Sequence, residues 1–247
     1  ASKNGRPIDV VVRAFDSNTK EETIVGRTYG DTLKVYLEPK RYDLLAKPVG
    51  SSSVNAITIS NVQSLEEKIT HQDIKFDAGF IEIQVFNNRV PWDASVRIMK
   101  HNKSIATTRT YAKSRALEIN PGTYNVLIKA LKVDGKAKDF IIENVEVAVN
   151  KTRRVEHDFQ TGTIKIGVRS GAELVDATIR IFDTSTGKSM ATSRTYKAEK
   201  SNPRAFILTI GNYRAEIKAL GDYKGQKSAF DFSLRAGESV ERIVKLK

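Results

Sequence analysis

The chain of 247 residues has no cysteine, one tryptophan, three histidines, six prolines and no long apolar run. Without cysteine there is no disulfide, no thiolate nucleophile and no thiolate-held zinc. The histidines, His71, His101 and His157, stand far apart and form no i, i+4 ligand pair, so zinc chemistry has no basis in this pattern. No G-x-S-x-G elbow accompanies them, and nothing favours acyl transfer. The apolar runs fall far short of the roughly 20 residues that cross a bilayer, and the opening ASKNGRPIDV contains no apolar signal region. The sequence calls for no cofactor or metal, and the reading is non-enzymatic.

What is present is repetition. Three times an Asp opens a short apolar strand, DVVVRAF, DASVRIM and DATIRIF, and each leads into an Arg-Thr-Tyr triplet. The triplets are Arg27-Thr28-Tyr29, Arg109-Thr110-Tyr111 and Arg194-Thr195-Tyr196. The leading residues Asp9, Asp93 and Asp176 lie 84 and 83 positions apart, the size of one small β domain rather than of a solenoid unit. The copies divide as 1–78, 79–161 and 162–247.

Within the second copy, β-branched and aromatic residues alternate with polar ones, and turn residues punctuate the runs every 8 to 12 positions or so, the pattern of an antiparallel sandwich. Strands are predicted near 79–86, 93–100, 104–111, 115–119, 123–132, 138–149 and 153–159. The turns Asp16-Ser17-Asn18-Thr19-Lys20, His101-Asn102-Lys103 and Asp183-Thr184-Ser185-Thr186-Gly187 share one hairpin slot and use residues that tolerate left-handed backbone. The Asp-x-Ser start at Asp183 mimics a metal site, and Gly221-Asp222-Tyr223-Lys224-Gly225 a phosphate loop; both read as hairpin turns. A Tyr follows a later turn in each copy, at Tyr42, Tyr124 and Tyr213, where a phenol can bury its ring and bond a turn carbonyl through its hydroxyl.

The run LEINPGTYNVLIKAL, with the Asp-led strand before it and IIENVEVAV after it, resembles carboxypeptidase-regulatory-like and Cna-B-like modules, which are prealbumin-like β-sandwiches. The combination of DA-x-V-x-I, RTY and PGTY-x-V is similar, more narrowly, to tandem repeats found downstream of von Willebrand factor A domains in some bacterial surface or periplasmic proteins. The resemblance covers the whole chain loosely. It implies an all-β chain of three tandem Ig-like or prealbumin-like antiparallel sandwiches, a periplasmic or cell-surface location, and a role in spacing, presentation or binding. It also implies an upstream domain of the same polypeptide. Some Cna-B relatives carry an internal Lys to Asn crosslink. Lys165 sits on the first strand of copy three, but Ser239 to Lys247 contains no Asn, and copy two has Glu82 at the Lys position, so the crosslink does not carry over.

Copies two and three begin with alternating strands, GFIEIQV and GTIKIGV, that copy one lacks. Its residues 3 to 8 correspond instead to the turns that follow those strands. The expectation is a chain that is the C-terminal part of something longer, or a first copy that completes its sheet with a borrowed strand. An unpaired edge otherwise invites association. The junctions Phe76-Asp77-Ala78-Gly79 and Phe159-Gln160-Thr161-Gly162 are too short for floppy tethers, so a semi-rigid rod is expected.

Charge is the feature most open to a functional reading. The net is +12, distributed as 0, +5 and +7 over the three copies. Such a field favours anionic partners, including nucleic acid, acidic glycans, phospholipid headgroups and cell-wall polymers, and does not choose among them; the partner expected is a protein or an anionic polymer or glycan rather than nucleic acid. Strand alternation points Arg97 and Arg180 outward, and hairpin pairing sets Arg109 with Tyr111 and Arg194 with Tyr196 on the same face. A ligand surface is one reading, with Arg bridging a phosphate or carboxylate and Tyr offering a stacking face. The other is structural: each Arg pairs with the Asp of its own copy and lies on the Tyr, and recurrence in all three copies favours it. Trp92 is either an exposed platform for a sugar ring or a partly buried anchor of its turn. Function that differs between copies belongs in variable loops, Lys47 to Asn55, Val133 to Lys138 and Lys197 to Arg204. A carbohydrate-binding module and an accessory region of an enzyme are the alternatives to a spacer.

Overall fold

A computed structural model describes residues 1–50 and 56–247; the part of the first variable loop from 51 to 55 lies outside the described residues. The fold is all-β, in tandem sandwiches, with one short 3₁₀ turn at Gly221–Tyr223. The second copy contains β7 (Gly79–Asn87), β8 (Val90–Pro91), β9 (Ala94–Lys100), β10 (Lys103–Arg109), β11 (Arg115–Ile119), β12 (Gly122–Ala130), β13 (Asp139–Val147) and β14 (Thr152–Phe159). All seven predicted strands are there, and the short β8 is the addition. One sheet runs β10-β9-β12-β13, and the other runs β11-β7-β14 with β8 folded back on β7. Copy three repeats the plan with β15 (Thr161–Ser170), β16 (Glu173–Leu174), β17 (Ala177–Asp183), β18 (Ser189–Thr195), β19 (Arg204–Thr209), β20 (Gly211–Ala219), β21 (Lys227–Leu234) and β22 (Ser239–Leu246).

The sheets are antiparallel as expected, except at the closing strand of copies two and three. β14 runs parallel to β7, Val155 beside Ile83, and β22 runs parallel to β15, Val240 beside Ile164. The cause is the turn before the closing strand. Asn150 donates its amide to the Ala78 carbonyl and Phe80 donates to that of Lys151, so the turn lies at the start of β7. A strand leaving that turn must travel the same way as β7.

Strand alternation builds the cores. Ile81, Ile83 and Val85 point inward from β7 and meet Val96 and Ile98 of β9 and Val126 and Ile128 of β12, all at most 1 % exposed. Each such side chain contributes about 1.5–3 kcal/mol relative to exposure. A second cluster forms around Ile164, Ile166, Ile179, Ile181 and Ile217 of copy three, and a smaller one around Val10, Val12, Ala46, Ile74 and Phe76 of copy one. Tyr124 and Tyr213 bury their rings and donate their hydroxyls to the carbonyls of Asn120 and Thr209, each at 2.6 Å. Tyr42 does the same to Glu38 at 3.2 Å. Burial raises the Tyr124 and Tyr213 phenols above the usual value.

Copy one has the sheet β4-β3-β5-β6, made of β3 (Val10–Asp16), β4 (Glu22–Arg27), β5 (Arg41–Pro48) and β6 (Ile57–Gln63). Opposite it, in place of β7, stand β1 (Ser2–Lys3) and β2 (Arg6–Pro7). Ser2 pairs with Pro7 as Phe86 pairs with Pro91, and Ser2 bridges Lys75 in parallel as Phe86 pairs with Asp158. β1 thus occupies the place of the last residues of β7, and β2 that of β8.

Candidate functional site: the Arg and Tyr face and the joints between sandwiches

The repeated triplet is a lock on the start of the Asp-led strand. Thr110 is buried; its hydroxyl oxygen accepts the Ala94 amide at 2.9 Å and donates to the Trp92 carbonyl at 3.0 Å. Thr28 and Thr195 make the same two bonds in their copies. Arg109 reaches Asp93 with Nε at 2.9 Å and with a second, shorter bond from its terminal nitrogen, and Arg27 with Asp9 and Arg194 with Asp176 match it. Hydrogen bonding from the guanidinium holds Asp9, Asp93 and Asp176 below the usual carboxylate range and raises each Arg. The guanidinium carbons of Arg27, Arg109 and Arg194 lie 4.7, 4.7 and 5.0 Å from the ring centres of Tyr29, Tyr111 and Tyr196. Arg109, Tyr111, Arg194 and Tyr196 are therefore brought together as the structural reading requires, with their strongest bonding capacity used inside the copy.

Arg97 and Arg180 stand differently. Arg97 lies across from Thr107 and Leu127, and Arg180 across from Thr192 and Glu216. Both are exposed and make no ion pair among the described residues. Trp92 is a turn anchor: its ring packs on the core of copy two and Nε1 donates to the Leu131 carbonyl at 2.9 Å. Asp183 is consumed by its own turn, accepting from Ser185 at 2.6 Å and from the Thr186 amide at 2.8 Å, which pulls its carboxyl far below the usual range. His157 stacks on Phe140 at 3.8 Å, edge-on to Phe159 at 4.4 Å, and burial lowers its pKa. Among the described residues no three metal-binding side chains converge, and no helix is long and apolar enough to cross a membrane.

Two of the variable loops make structural contacts. In the second, Asp134 donates its amide to the Ile207 carbonyl and accepts the Thr209 amide, both at 2.9 Å, so copy two adds a bridge beside β19 of copy three. Lys136 continues the contact, reaching Ser185 at 2.6 Å and Asp183 at 3.4 Å. Gly135 makes the approach possible: its φ is +108°, and a Cβ there would lie 2.3 Å from Thr209 Oγ1. In the third loop, buried Asn202 accepts the Val168 amide at 3.0 Å and donates to the carbonyls of Val168 and Val175.

The turn after β7 supplies a second clamp that the sequence reading missed. Asn88 accepts the Thr161 amide at 3.1 Å and donates to the Thr161 carbonyl at 2.8 Å. Asn4, at the same turn of copy one, accepts the Ala78 amide at 2.8 Å, while Lys3 forms an ion pair with Glu118. In copy three the matching residue is Gly171. Asn88 and Gly171 share a left-handed backbone, φ 50° and 56°, so the turn alone does not account for the Asn. The signal was visible as an Asn at equivalent turns of the first two copies only.

The fold and these joints define a tandem β-sandwich protein. No protein-family model matches the chain, and no curated protein matches it. Among solved structures it is similar to the Bacillus anthracis TIE protein, with 17 % identity and a TM-score of 0.32 over 98 % of this chain and 48 % of that one. It is also similar to the shaft pilin SpaA from Lactobacillus rhamnosus GG, with 10 % identity and a TM-score of 0.30 over 69 % of this chain and 98 % of the pilin. A candidate adhesin from Bacteroides ovatus aligns over 74 % of this chain and 98 % of its own, with 8 % identity and a TM-score of 0.40. The chain spans about half the length of the TIE protein. At these identities and TM-scores the likeness adds nothing to what the sheet topology already establishes.

Proposed function

We propose that the chain is a non-catalytic spacer of a bacterial surface or periplasmic protein, three modules divided at 1–78, 79–161 and 162–247, that holds another domain at a set distance. One observation carries this reading: the joint between copies two and three is clamped at two separate places, by Asn88 on Thr161 and by the Asp134 loop on β19. A linker meant only to connect has no use for such bonds, whereas a spacer that must keep direction needs them. The resemblance to repeats that follow von Willebrand factor A domains supports presentation of such a domain.

A second reading rests on charge. Copy three carries a net charge of +7, and Arg180 on its outer sheet is unpaired among the described residues. With Arg97 it is the contact this reading assigns to an anionic polymer, glycan or acidic protein. Arg109, Arg194, Tyr111 and Tyr196 would contribute only their outer surfaces. The test is the full chain on a glycan array and on immobilised anionic polymers at about 0.15 M and about 0.5 M salt, where exposed charge attraction is progressively screened. A spacer shows only salt-sensitive retention. A defined glycan held at the higher salt makes the chain a carbohydrate-binding module and overturns the spacer.

A further inference from the structure

On the open side of the second sandwich, where β12 and β14 begin and β13 ends, the two sheets leave a cavity of about 470 Å³. Gly122, Thr123 and Glu146 line one wall, and Lys151, Thr152 and Arg153 line the other. The volume lies in the range of small-molecule sites, roughly 300–1,000 Å³. Copy three shows that the charges here are not demanded by the fold. Arg153 lies beside inward-pointing Ile81, and Val240 holds the same place beside Ile164. Val240 packs on the core of its copy, whereas Arg153 is exposed and makes no ion pair among the described residues. An apolar side chain suits this register, so the Arg gives up packing for a free guanidinium.

Two further cations repeat the contrast. Lys151 stands where Glu238 stands, their carbonyls accepting the Phe80 and Thr163 amides at 2.9 and 2.8 Å. Glu238 spends its carboxylate on the Arg235 amide at 2.8 Å, while Lys151 has no carboxylate partner among the described residues. Lys100, counted from the leading Asp, stands where copies one and three have Asp16 and Asp183. Those two each accept a turn amide at 2.8 Å, but the shorter turn at His101 and Asn102, with φ 48° and 60°, closes without such an acceptor. Lys100 lies over the Tyr124 ring at 5.6 Å, its Nζ 3.2 Å from the place that a Cβ on Gly122 would take. Across the cavity Glu146, at the place of Ser233, also makes no ion pair among the described residues.

We propose that this cavity binds a saccharide unit carrying one carboxylate, of the uronic acid class. Arg153 takes the carboxylate through two parallel N–H bonds, and Lys151 adds a further charged donor. Glu146 and the Thr123 hydroxyl accept from ring hydroxyls, so the opposite wall needs a ligand with several donors. The same carboxylate repels a doubly charged ligand such as phosphate, which offers fewer donors in return. Lys151 and Arg153 are exposed, so binding is weak and sensitive to salt, which the spacer reading permits. The site rests neither on that reading nor on Arg97 and Arg180.

The test titrates methyl glucuronide into the whole chain at low ionic strength and follows the backbone amide resonances. Saturable shifts are expected at Gly122, Thr123 and residues 146–153, and none around Arg180. Methyl glucoside, the same ring without the carboxylate, is expected to bind at least about 10-fold more weakly, since hydrogen bonds to a charged group are the stronger ones. Arg153→Val and Lys151→Glu install the residues of copy three; each is expected to weaken glucuronide binding at least about 10-fold on the same ground, with the urea midpoint of Trp92 fluorescence no lower than in the parent. No saturable shift at these amides, equal affinity for the glucoside, or variants that bind as the parent does overturns the proposal. Inorganic phosphate binding more tightly than glucuronide makes the cavity a phosphate seat and overturns it as well.

Discussion

The Thr110→Val substitution tests whether the repeated triplet is a lock. Valine matches threonine in shape, so the core of copy two keeps its packing and only the hydroxyl is lost. Two groups then lose their partner: the Ala94 amide, on a residue 0 % exposed, and the Trp92 carbonyl. A buried group left unpaired costs about 1–3 kcal/mol, and with the carbonyl the less enclosed of the two a total of about 2–4 kcal/mol is expected. A domain of this size has on the order of 4–12 kcal/mol to lose, so the variant stays folded but is clearly weakened. The only tryptophan, Trp92, sits beside the missing hydroxyl and reports copy two alone. In urea its fluorescence midpoint is expected to fall by roughly 1–2 M, with the slope unchanged. A loss under about 0.5 kcal/mol, the range of an ordinary surface change, refutes the lock.

Other outcomes follow from the same geometry. Tyr213→Phe removes a 2.6 Å bond to the Thr209 carbonyl and is expected to cost about 1–3 kcal/mol, more than Tyr42→Phe, whose bond is 3.2 Å long; thermal melts of the two variants decide it. Because Asp9, Asp93 and Asp176 are lowered in the folded state, their contribution is present above the unfolded carboxylate value near 3.9 and is lost as pH falls through the folded values; Asp93→Asn is expected to flatten acid unfolding of copy two, followed by Trp92 fluorescence. His157 is lowered by burial, so its neutral form is the stabilising one and stability falls as pH drops below the unfolded value near 6.5; His157→Phe is expected to remove that step from a pH series of urea midpoints.

Local alternation carried most of the fold. The strands of copy two follow from inward residues such as Ile81, Ile83, Val96 and Ile98, and the Asp-led repeat marked equivalent positions in the other copies. The parallel closing strand was illegible, because it depends on the turn before β14 meeting the start of β7, a contact between distant residues. The Arg residues lie at the ends of their strands, but the Tyr residues stand beyond them, Tyr29 and Tyr111 at positive φ, so the turn rather than two-residue periodicity brings each ring over its Arg. Whether their charge faced a ligand or an Asp was not decided by periodicity; the ion pair to Asp93 settles how Arg109 is bonded, while Arg97 keeps its guanidinium free among the described residues. Val133 to Lys138 looked like a free polar loop because its partner, β19, belongs to the next copy. Gly135 and Asn88 were readable only after that neighbour was known.

The central claim is that clamped joints make copies two and three one stiff body, and a distance between spin labels tests it directly. With no native cysteine to interfere, labels go on Lys103→Cys in copy two and Lys224→Cys in copy three, both exposed and away from the joint. A single narrow distance distribution is expected, broadening when Gly135→Ala drives a Cβ against Thr209 and Asn88→Ala removes the second clamp. A broad distribution in the parent chain, unchanged by both substitutions, would contradict the account.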